Sequence, residues 1–502
     1  MSKTYKSKLA FRLDQFKNFL KIFTRNRRGV VGITILVLFA IIAIGAPLIT
    51  PYSPYDRYIA GDYAYPIWWK YITGRPELYN ENRILIDDPG FNSFVSLQPK
   101  YWNFTTTSDF VDLTWNGTVG NPEGSGLGCA QIFFDRPGTT PQGQVRASIT
   151  KAFAFLSVNP PKRFSGNATI KLEGIENLET VLVCFFIANP LNRTNLWVTY
   201  ATNSSGWLTS KPPMDSFDSG LRLLVSGNMT KDVAGVIFSH PGNYTFGVEV
   251  TLTDTKAQPV TASIYIDDFN LRLYGNSFGW LGTNQEGRDI FSQLIYGARI
   301  SLFVGLLSAV LSVSIGLLAG IVSGFVGGIT DEILMRITDA LLVIPSLPLL
   351  LVLVAVLGSS IWNLIMIIGL LGWMGFARLV RSQTLSLKER PFIEAAKAAG
   401  AGTGHILTTH ILPNVMSLVY VSLALSVPSA ILSEAALSWL GLFDPLVISW
   451  GRMLYEVENN QGVDKPWWVV PPGVSIALIS LSFILLGYAL DELLNPKLRQ
   501  RR

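Results

Sequence analysis

One stretch of the sequence, residues 391–414, has residue types and spacing that suit binding to another protein. It reads PFIEAAKAAGAGTGHILTTHILPN. Pro391 is placed at the first turn of an Ala-rich helix, and the glycines at 400, 402 and 404 are placed to end that helix. Small side chains let such a helix lie deep in a groove of a partner. Glu394 in its first turn suits the helix dipole and can accept a hydrogen bond from that partner. A second interpretation stays open from these residues alone, an amphipathic loop helix lying on lipid.

The chain has few residues that suit metal binding, catalysis or ATP binding. Two cysteines and three histidines are too few for a metal site of several Cys and His ligands. We find no nucleophile–base constellation in the sequence and no G-x-x-x-x-G-K-[ST] loop to bind ATP. We therefore predict that the chain is not an enzyme, binds no metal and holds no cofactor of its own.

The composition indicates which elements position this stretch. Of the 502 residues, 49% are hydrophobic and 15% are charged, whereas an ordinary globular protein has roughly 25% charged residues. A soluble fold of this size needs more charge on its surface. The net charge of +5 comes largely from a few end segments, which disfavours a nucleic-acid-binding face. The composition thus predicts a membrane protein whose surroundings are the lipid bilayer, with no nucleic acid as partner.

Six uncharged stretches are long enough to cross a bilayer core, which takes about 20 apolar residues of helix. They are 30–49, 300–329, the two halves of 340–377 on either side of Gly358-Ser359-Ser360, 411–433 and 467–490. We interpret the first stretch as an anchor rather than a cleaved signal peptide. It follows a long basic tail and lacks a clear small-x-small cleavage site.

Basic residues beside these stretches predict the orientation, because Lys and Arg near a span are retained in the cytoplasm. Residues 1–28 form a basic tail, and the loop after the fourth span and the C-terminus are also basic. The prediction is a multi-pass protein of the cell membrane with cytoplasmic N- and C-termini. Its first transmembrane helix covers 29–50, an extracellular insert covers 51–275, and a core with five more helices covers 276–502.

The extracellular insert differs in composition from the rest of the chain. It is rich in Thr, Ser, Asn and Gly, and apolar residues alternate with polar ones over 244–254 and 261–268, which is typical of half-buried antiparallel strands. The predicted fold class is an all-α polytopic membrane protein with an inserted β-sandwich. That sandwich is jelly-roll-like, with a core at about 96–274. Asp267 and Asp268 are expected to be solvated acids on opposite faces of one strand rather than calcium ligands.

Two further features of the insert fit an exterior location. The cysteines Cys129 and Cys184 both lie in it, and an exterior pair either oxidises to a disulfide or stays as two buried thiols. Every Asn-x-Ser/Thr site of the chain also lies in it, and each is a candidate N-glycan acceptor. These sites begin at Asn103, Asn116, Asn167, Asn192, Asn203, Asn228 and Asn243.

Ionisable residues near the spans are candidates for the transport path or its gate. Arg336 and Asp339, three residues apart, are expected to pair on one helix face. Glu434, at the outer end of the fifth span, either faces the path or caps the interface. Arg288 and Asp289, which come just before the second span, are predicted to clamp outer loops or a partner.

The pattern of residues 391–414 resembles the EAA loop of ABC importer permeases, and its form here is similar to the dipeptide/oligopeptide/nickel family, most of all to the C-type permease. The residues that carry this resemblance are Glu394, Ala395, Ala396, Gly400, Ile406 and Pro413. A second segment resembles the LGTDxxGRDxxSRxxxGxRxSL signature of that family. It does so through Gly282, Thr283, Gly287, Arg288, Asp289 and Arg299. Asn284 stands where the signature has Asp, Tyr488 stands where the family often has Asp, and the long insert is not part of the pattern.

This resemblance implies the permease subunit of an importer that passes di- or oligopeptides across the membrane by alternating access. It implies that residues 391–414 are the coupling loop, which docks on an ATPase. The implied partners are a second permease subunit, two ABC ATPase subunits that carry ATP and Mg, and an extracellular solute-binding protein. One alternative is an oligosaccharide importer permease of the same family. An alternative of another class is a membrane-anchored glycan-binding surface receptor.

Overall fold

The computed structural model of the chain describes residues 23–98, 101–124, 126, 128–211 and 213–494. Most of the predicted basic tail and the basic residues after 494 lie outside this part of the chain. The chain divides into two compact units. Residues 56–289 are called here the two-sheet domain, and the residues up to 55 together with those from 290 are called the helical unit. These limits differ from the predicted 51–275, because residues 58–65 are bonded to the segment that follows 275. The Tyr58 amide, for example, donates to the Glu286 carbonyl at 2.9 Å.

The first helix, α1 (Arg27–Ile49), has the length and apolar composition of a membrane span. The Asn26 side chain caps its start by accepting a hydrogen bond from the Gly29 amide. A Cβ atom at Gly32 would lie 2.7 Å from the carbonyl oxygen of residue 482. Glycine at this position therefore lets α1 pack tightly against the last helix of the same unit.

The two-sheet domain consists mainly of antiparallel strands, which confirms the predicted β-rich character. In chain order the strands are β1 (Arg83–Ile84), β2 (Asn103–Thr106), β3 (Val111–Asn116), β4 (Cys129–Arg136), β5 (Gly143–Phe155), β6 (Arg163–Glu173), β7 (Thr180–Ala188), β8 (Arg193–Ala201), β9 (Leu208–Thr209), β10 (Met214–Asp215), β11 (Gly242–Asp254) and β12 (Val260–Tyr274). Short helices join them: α2 (Trp69–Thr73), α3 (Ser219–Ser226), α4 (Val233–Ile237) and the 3₁₀ turns Pro76–Leu78 and Phe94–Leu97.

The strands form two sheets that share one apolar core. The first sheet has the order β10-β6-β12-β4-β3, with β1 beside β12 and β9 beside β6, and the second has the order β2-β5-β11-β7-β8. Buried side chains of both sheets belong to one cluster. Alternate residues of β11 enter this cluster: Tyr244, Phe246, Val248, Val250 and Leu252. Burying one such side chain stabilises the fold by about 1.5–3 kcal/mol.

The two cysteines of this domain do not form a disulfide, so of the two alternatives the buried thiols are observed. Cys129 and Cys184 are both free and buried. Cys129 is on β4 in the first sheet, whereas Cys184 is on β7 in the second sheet. Val183 and Phe185 belong to the core cluster and Cys184 does not, since neighbouring residues of a strand point to opposite faces. Burial raises the pKa of the Cys129 thiol to about 12.

The expectation for Asp267 and Asp268 is wrong, because both side chains are buried. Asp268 has a φ of 49° beside a register shift in the pairing of β12 with β6, and a bulge of this kind breaks the alternation of faces. Asn121 donates to both acids, from its amide to Asp267 at 2.8 Å and from its side chain to Asp268 at 2.7 Å. Burial raises the pKa of Asp267 to about 6. Among the residues that the structure describes, no group of three or more His, Cys, Asp or Glu is placed to hold a metal ion.

The helical unit continues after α1 with helices of very different length. They are α5 (Ile290–Val326), α6 (Gly328–Val343), α7 (Ser346–Leu357), α8 (Ile361–Gly372), α9 (Met374–Lys388), α10 (Pro391–Ala398), α11 (Thr403–Ile406), a π turn (Leu407–Ile411), α12 (Leu412–Trp439), α13 (Trp450–Asn459) and α14 (Pro466–Leu494). In this part of the chain, four helices are long and apolar enough to cross a membrane, or up to six if each bent pair is one span. The bent pairs are α6 with α7, at 93°, and α8 with α9, at 41°.

Glycines set the packing of α5 on α9. Cβ atoms at Gly316, Gly320 and Gly324 would lie 2.8, 2.6 and 2.9 Å from the carbonyl oxygens of residues 373, 377 and 381. The four-residue spacing places these glycines on one face of α5. The two helix backbones can approach closely only because side chains are absent from that face.

Candidate coupling site

The predicted coupling loop, residues 391–414, connects α9 to α12. Arg390 is the N-cap of α10 in an extended conformation, and Pro391 occupies the first turn, where its fixed φ is favourable and its missing N–H costs nothing. Glu394 lies in that first turn, and the helix ends at Ala398. The chain then passes through α11 and the π turn directly into α12. The short helix therefore forms where the sequence predicts it.

Gly400 ends α10 by adopting a left-handed conformation with a φ of 80°. The amide of Gly400 donates to the Lys397 carbonyl at 2.9 Å, and the amide of Ala401 donates to the Ala396 carbonyl at 3.0 Å, which satisfies the last carbonyl groups of the helix. A Cβ atom at Gly400 would meet nothing within 4 Å. Glycine is thus favoured here by its backbone conformation and not by lack of space.

One face of α10 is held in an apolar cluster of the helical unit. Ile393 is fully buried there beside Phe325 of α5 and Leu387 of α9. Ile406 and Ile411 are buried in the same cluster, and Ala396 is partly buried against it. Of the predicted coupling residues, Ile406 and Ala396 therefore fix the loop on the unit. Sequence analysis missed Ile393, although its spacing of three residues from Ala396 marks one helix face.

The opposite face of α10 is exposed. Glu394, Ala395 and Gly400 are exposed, and so is Pro413, which lies in the first turn of α12. Sequence analysis did not single out the aromatic rings beside this face. The Phe392 ring lies 6.0 Å from that of His410, and the His410 ring lies 6.0 Å from that of His405. The arrangement presents an acid and small side chains on a helix whose other face is anchored in the unit.

The predicted pair of Arg336 and Asp339 is wrong. Arg336 lies 3.9 Å from Glu332, one turn earlier on α6, and both side chains are exposed. Asp339 instead accepts a hydrogen bond from Arg378 on α9. The spacing within α6 permits the local pair, but the neighbouring helix supplies a cation at closer range.

The signature segment, residues 281–289, wraps around residues 58–65 of the two-sheet domain. Thr283 accepts a hydrogen bond from the Ala64 amide at 2.8 Å. Gly282 and Gly287 have φ values of 69° and 66°. Cβ atoms at these glycines would lie 2.0 and 2.5 Å from the carbonyl oxygens of Ala64 and Ala60. The glycines of the signature thus allow two backbones to come into contact.

The polar residues of the signature stabilise the same turn. The Asn284 side chain accepts from the amides of Glu286 and Arg288, each at 3.0 Å. An amide oxygen therefore forms these bonds where the signature has a carboxylate. Arg288 pairs with Glu286, and Asp289 is buried. In the helical unit, Arg299 donates to the Ile44 carbonyl near the end of α1 at 2.9 Å.

Comparison with known proteins identifies the family. Residues 316–500 match the family described as binding-protein-dependent transport system inner membrane component, and residues 14–66 match the N-terminal TM domain of oligopeptide transport permease C. The chain is 41% identical over 226 residues to the oligopeptide transport system permease protein OppC of Bacillus subtilis, which covers 44% of this chain and 72% of that protein. The chain belongs to the peptide-permease family of ABC importers. The family predicted from the sequence motifs is thereby confirmed.

Other relatives of this permease are similar in extent. The glutathione transport system permease protein GsiD of Pectobacterium atrosepticum is 38% identical over 242 residues, which covers 48% of this chain and 80% of that protein. The inward-facing MetNI methionine ABC transporter overlaps 42% of this chain and 98% of that chain, at 18% identity and a TM-score of 0.34. Neither family match covers residues 67–315 of the permease.

Glu434 of the permease is buried and hydrogen-bonded. It is 3% exposed, and its Oε1 atom accepts hydrogen bonds from Ser438 at 2.7 Å and Ser449 at 2.6 Å. Ser449 is in turn the N-cap of α13, where its hydroxyl accepts from the Arg452 amide. The carboxyl group therefore lies inside the helix packing of this unit and binds the serine that caps α13.

The candidate glycan acceptors of the permease differ in accessibility. Five of these asparagines are exposed: Asn103, Asn192, Asn203, Asn228 and Asn243. Asn116 and Asn167 are half-buried. The Asn116 side-chain nitrogen donates to Gln131 at 3.1 Å, and the Asn167 side-chain oxygen accepts from Ser210 at 3.2 Å. An N-glycan is attached to the side-chain nitrogen, so modification would compete with the Asn116 bond, whereas the Asn167 bond uses the oxygen.

Proposed function

We propose that this permease passes di- or oligopeptides across the cell membrane by alternating access, and that partner ATPases drive it through α10. The observation that carries the proposal is the two-sided character of α10. Ile393 anchors one face in the apolar cluster, whereas Glu394 and Ala395 are exposed on the other. No segment among the described residues covers that exposed face. A small-residue face on an anchored helix suits a groove in a partner and transmits rigid-body movement.

The proposal assigns nucleotide chemistry to other chains. The sequence has no G-x-x-x-x-G-K-[ST] loop, so two ABC ATPase subunits would hold ATP and Mg. A second permease subunit would complete the path through the membrane, and an extracellular solute-binding protein would deliver the solute. ATP-driven closure of the ATPases would move α10 and open the path outward, and hydrolysis would reverse the movement.

The proposed membrane topology has six spans with cytoplasmic N- and C-termini and an extracellular two-sheet domain. Counting each bent pair as one span gives six, and an even number returns the C-terminus to the side of the N-terminus. Basic residues support a cytoplasmic position for the coupling loop. Those in and just before it are Arg378, Arg381, Lys388, Arg390 and Lys397.

For the two-sheet domain we propose a jelly-roll topology and a binding role on the extracellular side of the cell membrane. The strand order supports this topology, because β4, β5, β6 and β7 alternate between the two sheets and β11 and β12 return to their centres. The exposed asparagines are proposed as N-glycan acceptors. Peptides are proposed as the solute because OppC and GsiD are named for oligopeptides and glutathione. Oligosaccharides are the alternative solute, and the uptake test described next must distinguish them from peptides.

The test reconstitutes the permease with its second permease, both ATPases and the solute-binding protein in lipid vesicles. ATP-dependent uptake of labelled peptides is measured beside uptake of labelled oligosaccharides. Replacing the exposed Ala395 with Trp leaves the buried face of α10 intact but fills the contact surface. We expect this change to lower uptake by about tenfold, the size of a typical coupling between two sites, with ATPase subunits lost on purification.

A matched pair of charge variants sharpens this test. Glu394→Gln removes the acid from the proposed contact surface, whereas Glu389→Gln removes another exposed acid, between α9 and α10. We expect the first variant to reduce uptake and the second to leave it near normal. Normal uptake with Ala395→Trp would contradict the proposal. So would labelling of a cysteine at position 395 by an impermeant reagent added outside cells.

A further inference from the structure

Helix α6 (Gly328–Val343) has little apolar packing to hold it in place. Thr338 is its one buried residue, and Ile329 and Val343 are 77% and 83% exposed. Gly327 joins it to α5 and Gly328 is its first residue, and both have positive φ values, 74° and 57°. At its other end the chain bends by 93° into α7. Leu341 is partly buried against Trp373, Met374 and Ala377, and polar contacts supply the other attachments of α6.

Two Asp–Arg pairs attach α6 to α9, and we call Asp331, Asp339, Arg378 and Arg381 the arginine clamp. Arg381 binds Asp331 in a bidentate manner, with Nε to Oδ1 and Nη2 to Oδ2 both at 2.6 Å. Ser323 near the end of α5 also donates to Asp331. The Asp331 side chain is only 17% exposed, so solvent screens this pair less than a surface pair. The second pair, Asp339 with Arg378, is half-exposed.

The arginine clamp has the geometry of two antiparallel helices held side by side. Asp331 and Asp339 are eight residues apart, about two helical turns, and Arg378 and Arg381 are three apart and share one face of α9. The earlier acid pairs with the later arginine. Planar guanidinium groups fix a carboxylate in direction as well as distance, so the clamp resists both sliding and rotation of α6 on α9.

Helix α9 is in turn joined to α10 as one packed block. Only Glu389 and Arg390 separate the two helices. Leu387 of α9 and Ile393 of α10 are buried in the same apolar cluster. Lys388 and Lys397 lie over the Phe325 ring of that cluster at 5.8 and 6.0 Å. The two helices therefore share one apolar cluster, which provides a route by which a displacement of α10 would act on α9.

We propose that the arginine clamp carries movement of α10 through α9 into α6, and so into the bent span that α6 forms with α7. Arg381 and Asp331 act as positioning residues, because they hold α6 to the moving block without touching solute or nucleotide. This inference rests on the proposed function, in which α10 receives its movement from the ATPases. In this scheme the bend between α6 and α7 is the point at which movement of α6 reaches the second half of the span.

The first test measures solute uptake and ATP hydrolysis together in the reconstituted importer. We expect Asp331→Asn and Arg381→Gln each to lower the solute carried per ATP by about tenfold, while the complex still assembles. The exchanged variant, D331R with R381D, should restore much of this ratio because it rebuilds the pair. Glu332→Gln on the same helix is the control, since Glu332 is 68% exposed and its contact with Arg336 is 3.9 Å. An unchanged ratio in both single variants would overturn the clamp.

The second test does not depend on transport of a particular solute. Spin labels at Ile333→Cys on α6 and Ser386→Cys on α9 report the distance across the clamp, in a protein whose two native cysteines are replaced by serine. With the clamp intact we expect the same narrow distance distribution without nucleotide and with trapped ATP. Asp331→Asn should broaden and shift it when ATP is trapped. A distribution that Asp331→Asn leaves unchanged would overturn the clamp even if uptake is lost. A clamped α6 in an importer that carries no peptide would instead count against the proposed function.

Discussion

The two units of this permease are stabilised in opposite ways. The two-sheet domain has a continuous apolar core to which both sheets contribute. Its ion pair between Arg136 and Asp254 is almost fully buried. The helical unit leaves large apolar side chains exposed, such as Leu48 at 93%, and its helices meet through separate apolar clusters, close glycine contacts and the arginine clamp. The two-sheet domain buries its own apolar surface, whereas the helical unit leaves apolar surface exposed that suits a lipid environment.

This difference in packing indicates which property a substitution changes in each unit. In the two-sheet domain a side chain contributes mainly through burial, so its removal changes the stability of that domain. In the helical unit, charge pairs attach α6 to α9 and one face of α10 is exposed, so we expect substitutions there to affect transport more than stability. Stability measurements and coupling measurements should therefore separate the two units.

Arg136→Ala is expected to give the largest effect on stability. Arg136 of β4 binds Asp254 of β11 through two bonds of 2.7 and 2.8 Å and so joins the two sheets. Its Nη2 atom also donates to the Gln258 carbonyl at 2.7 Å. Removing the arginine leaves the buried Asp254 carboxylate without a counter-charge, with the Gln142 amide still donating to it at 3.0 Å, and loss of such a buried pair costs about 3–5 kcal/mol. The loss is measured by heating the purified full chain and detecting unfolding of the two-sheet domain as protease cleavage within residues 56–289.

Lys171→Ala provides the matched control for that prediction. Lys171 also pairs with an acid of the same domain, Glu173 at 2.6 Å, but both side chains are accessible to water. Such surface pairs contribute about 0–1 kcal/mol. Equal losses for Arg136→Ala and Lys171→Ala would contradict the distinction between a buried and a surface pair. A loss of helical-unit protection with Arg136→Ala would contradict the separation of the units.

A smaller effect is expected from the pH dependence of the two-sheet domain. The pKa of Asp267 is raised from 3.8 to about 6 by burial, so the folded state holds a proton that the unfolded state releases between these values. The contribution of this group to stability is complete below about pH 4 and is lost as pH rises through about 6, by up to about 3 kcal/mol. Unfolding temperatures measured from pH 4 to pH 7 should therefore fall. Asp267→Asn should flatten that slope, and an unchanged slope in this variant would refute the assignment to Asp267.

Local signals in the sequence predicted much of this structure. Pro391 and Gly400 marked the ends of α10 because each acts on the backbone next to it. Gly358-Ser359-Ser360 marked the break between α7 and α8, where Ser360 caps the second helix. Alternation predicted β11, since one face of that strand is buried. In each case the physical cause lies within a few residues of the feature.

Features that depend on distant residues were missed or predicted wrongly. Asp339 was expected to pair within α6, but its partner Arg378 is on another helix. The sequence did not indicate the bulge at Asp268, because pairing of β12 with β6 produces it. Glu434 binds Ser449, fifteen residues away, across the turn between α12 and α13. Such contacts are chosen by packing of elements and leave no local pattern.

Deletion of residues 68–275, which contain the strands of the two-sheet domain, is expected to have the smallest effect on the helical unit among these changes. The domain begins and ends at one place, where the Tyr65 amide donates to the Asn276 carbonyl and the Phe278 amide donates to the Tyr65 carbonyl, each at 2.8 Å. A Gly-Ser linker of about six residues spans roughly 12–15 Å, so it can replace residues 68–275 while the signature segment keeps its contacts with residues 58–65. We expect the shortened permease to insert, to assemble with its partners and to keep its ATP-dependent uptake within about twofold of the full chain. Loss of a coupling contact normally has a larger effect than this.

A second deletion, in which the linker replaces residues 58–275, is the control. It removes the segment to which Gly282 and Thr283 bind, and it should impair assembly. If both deletions fail equally, the helical unit needs the two-sheet domain for folding, and the contrast between a self-sufficient domain and a dependent one does not hold.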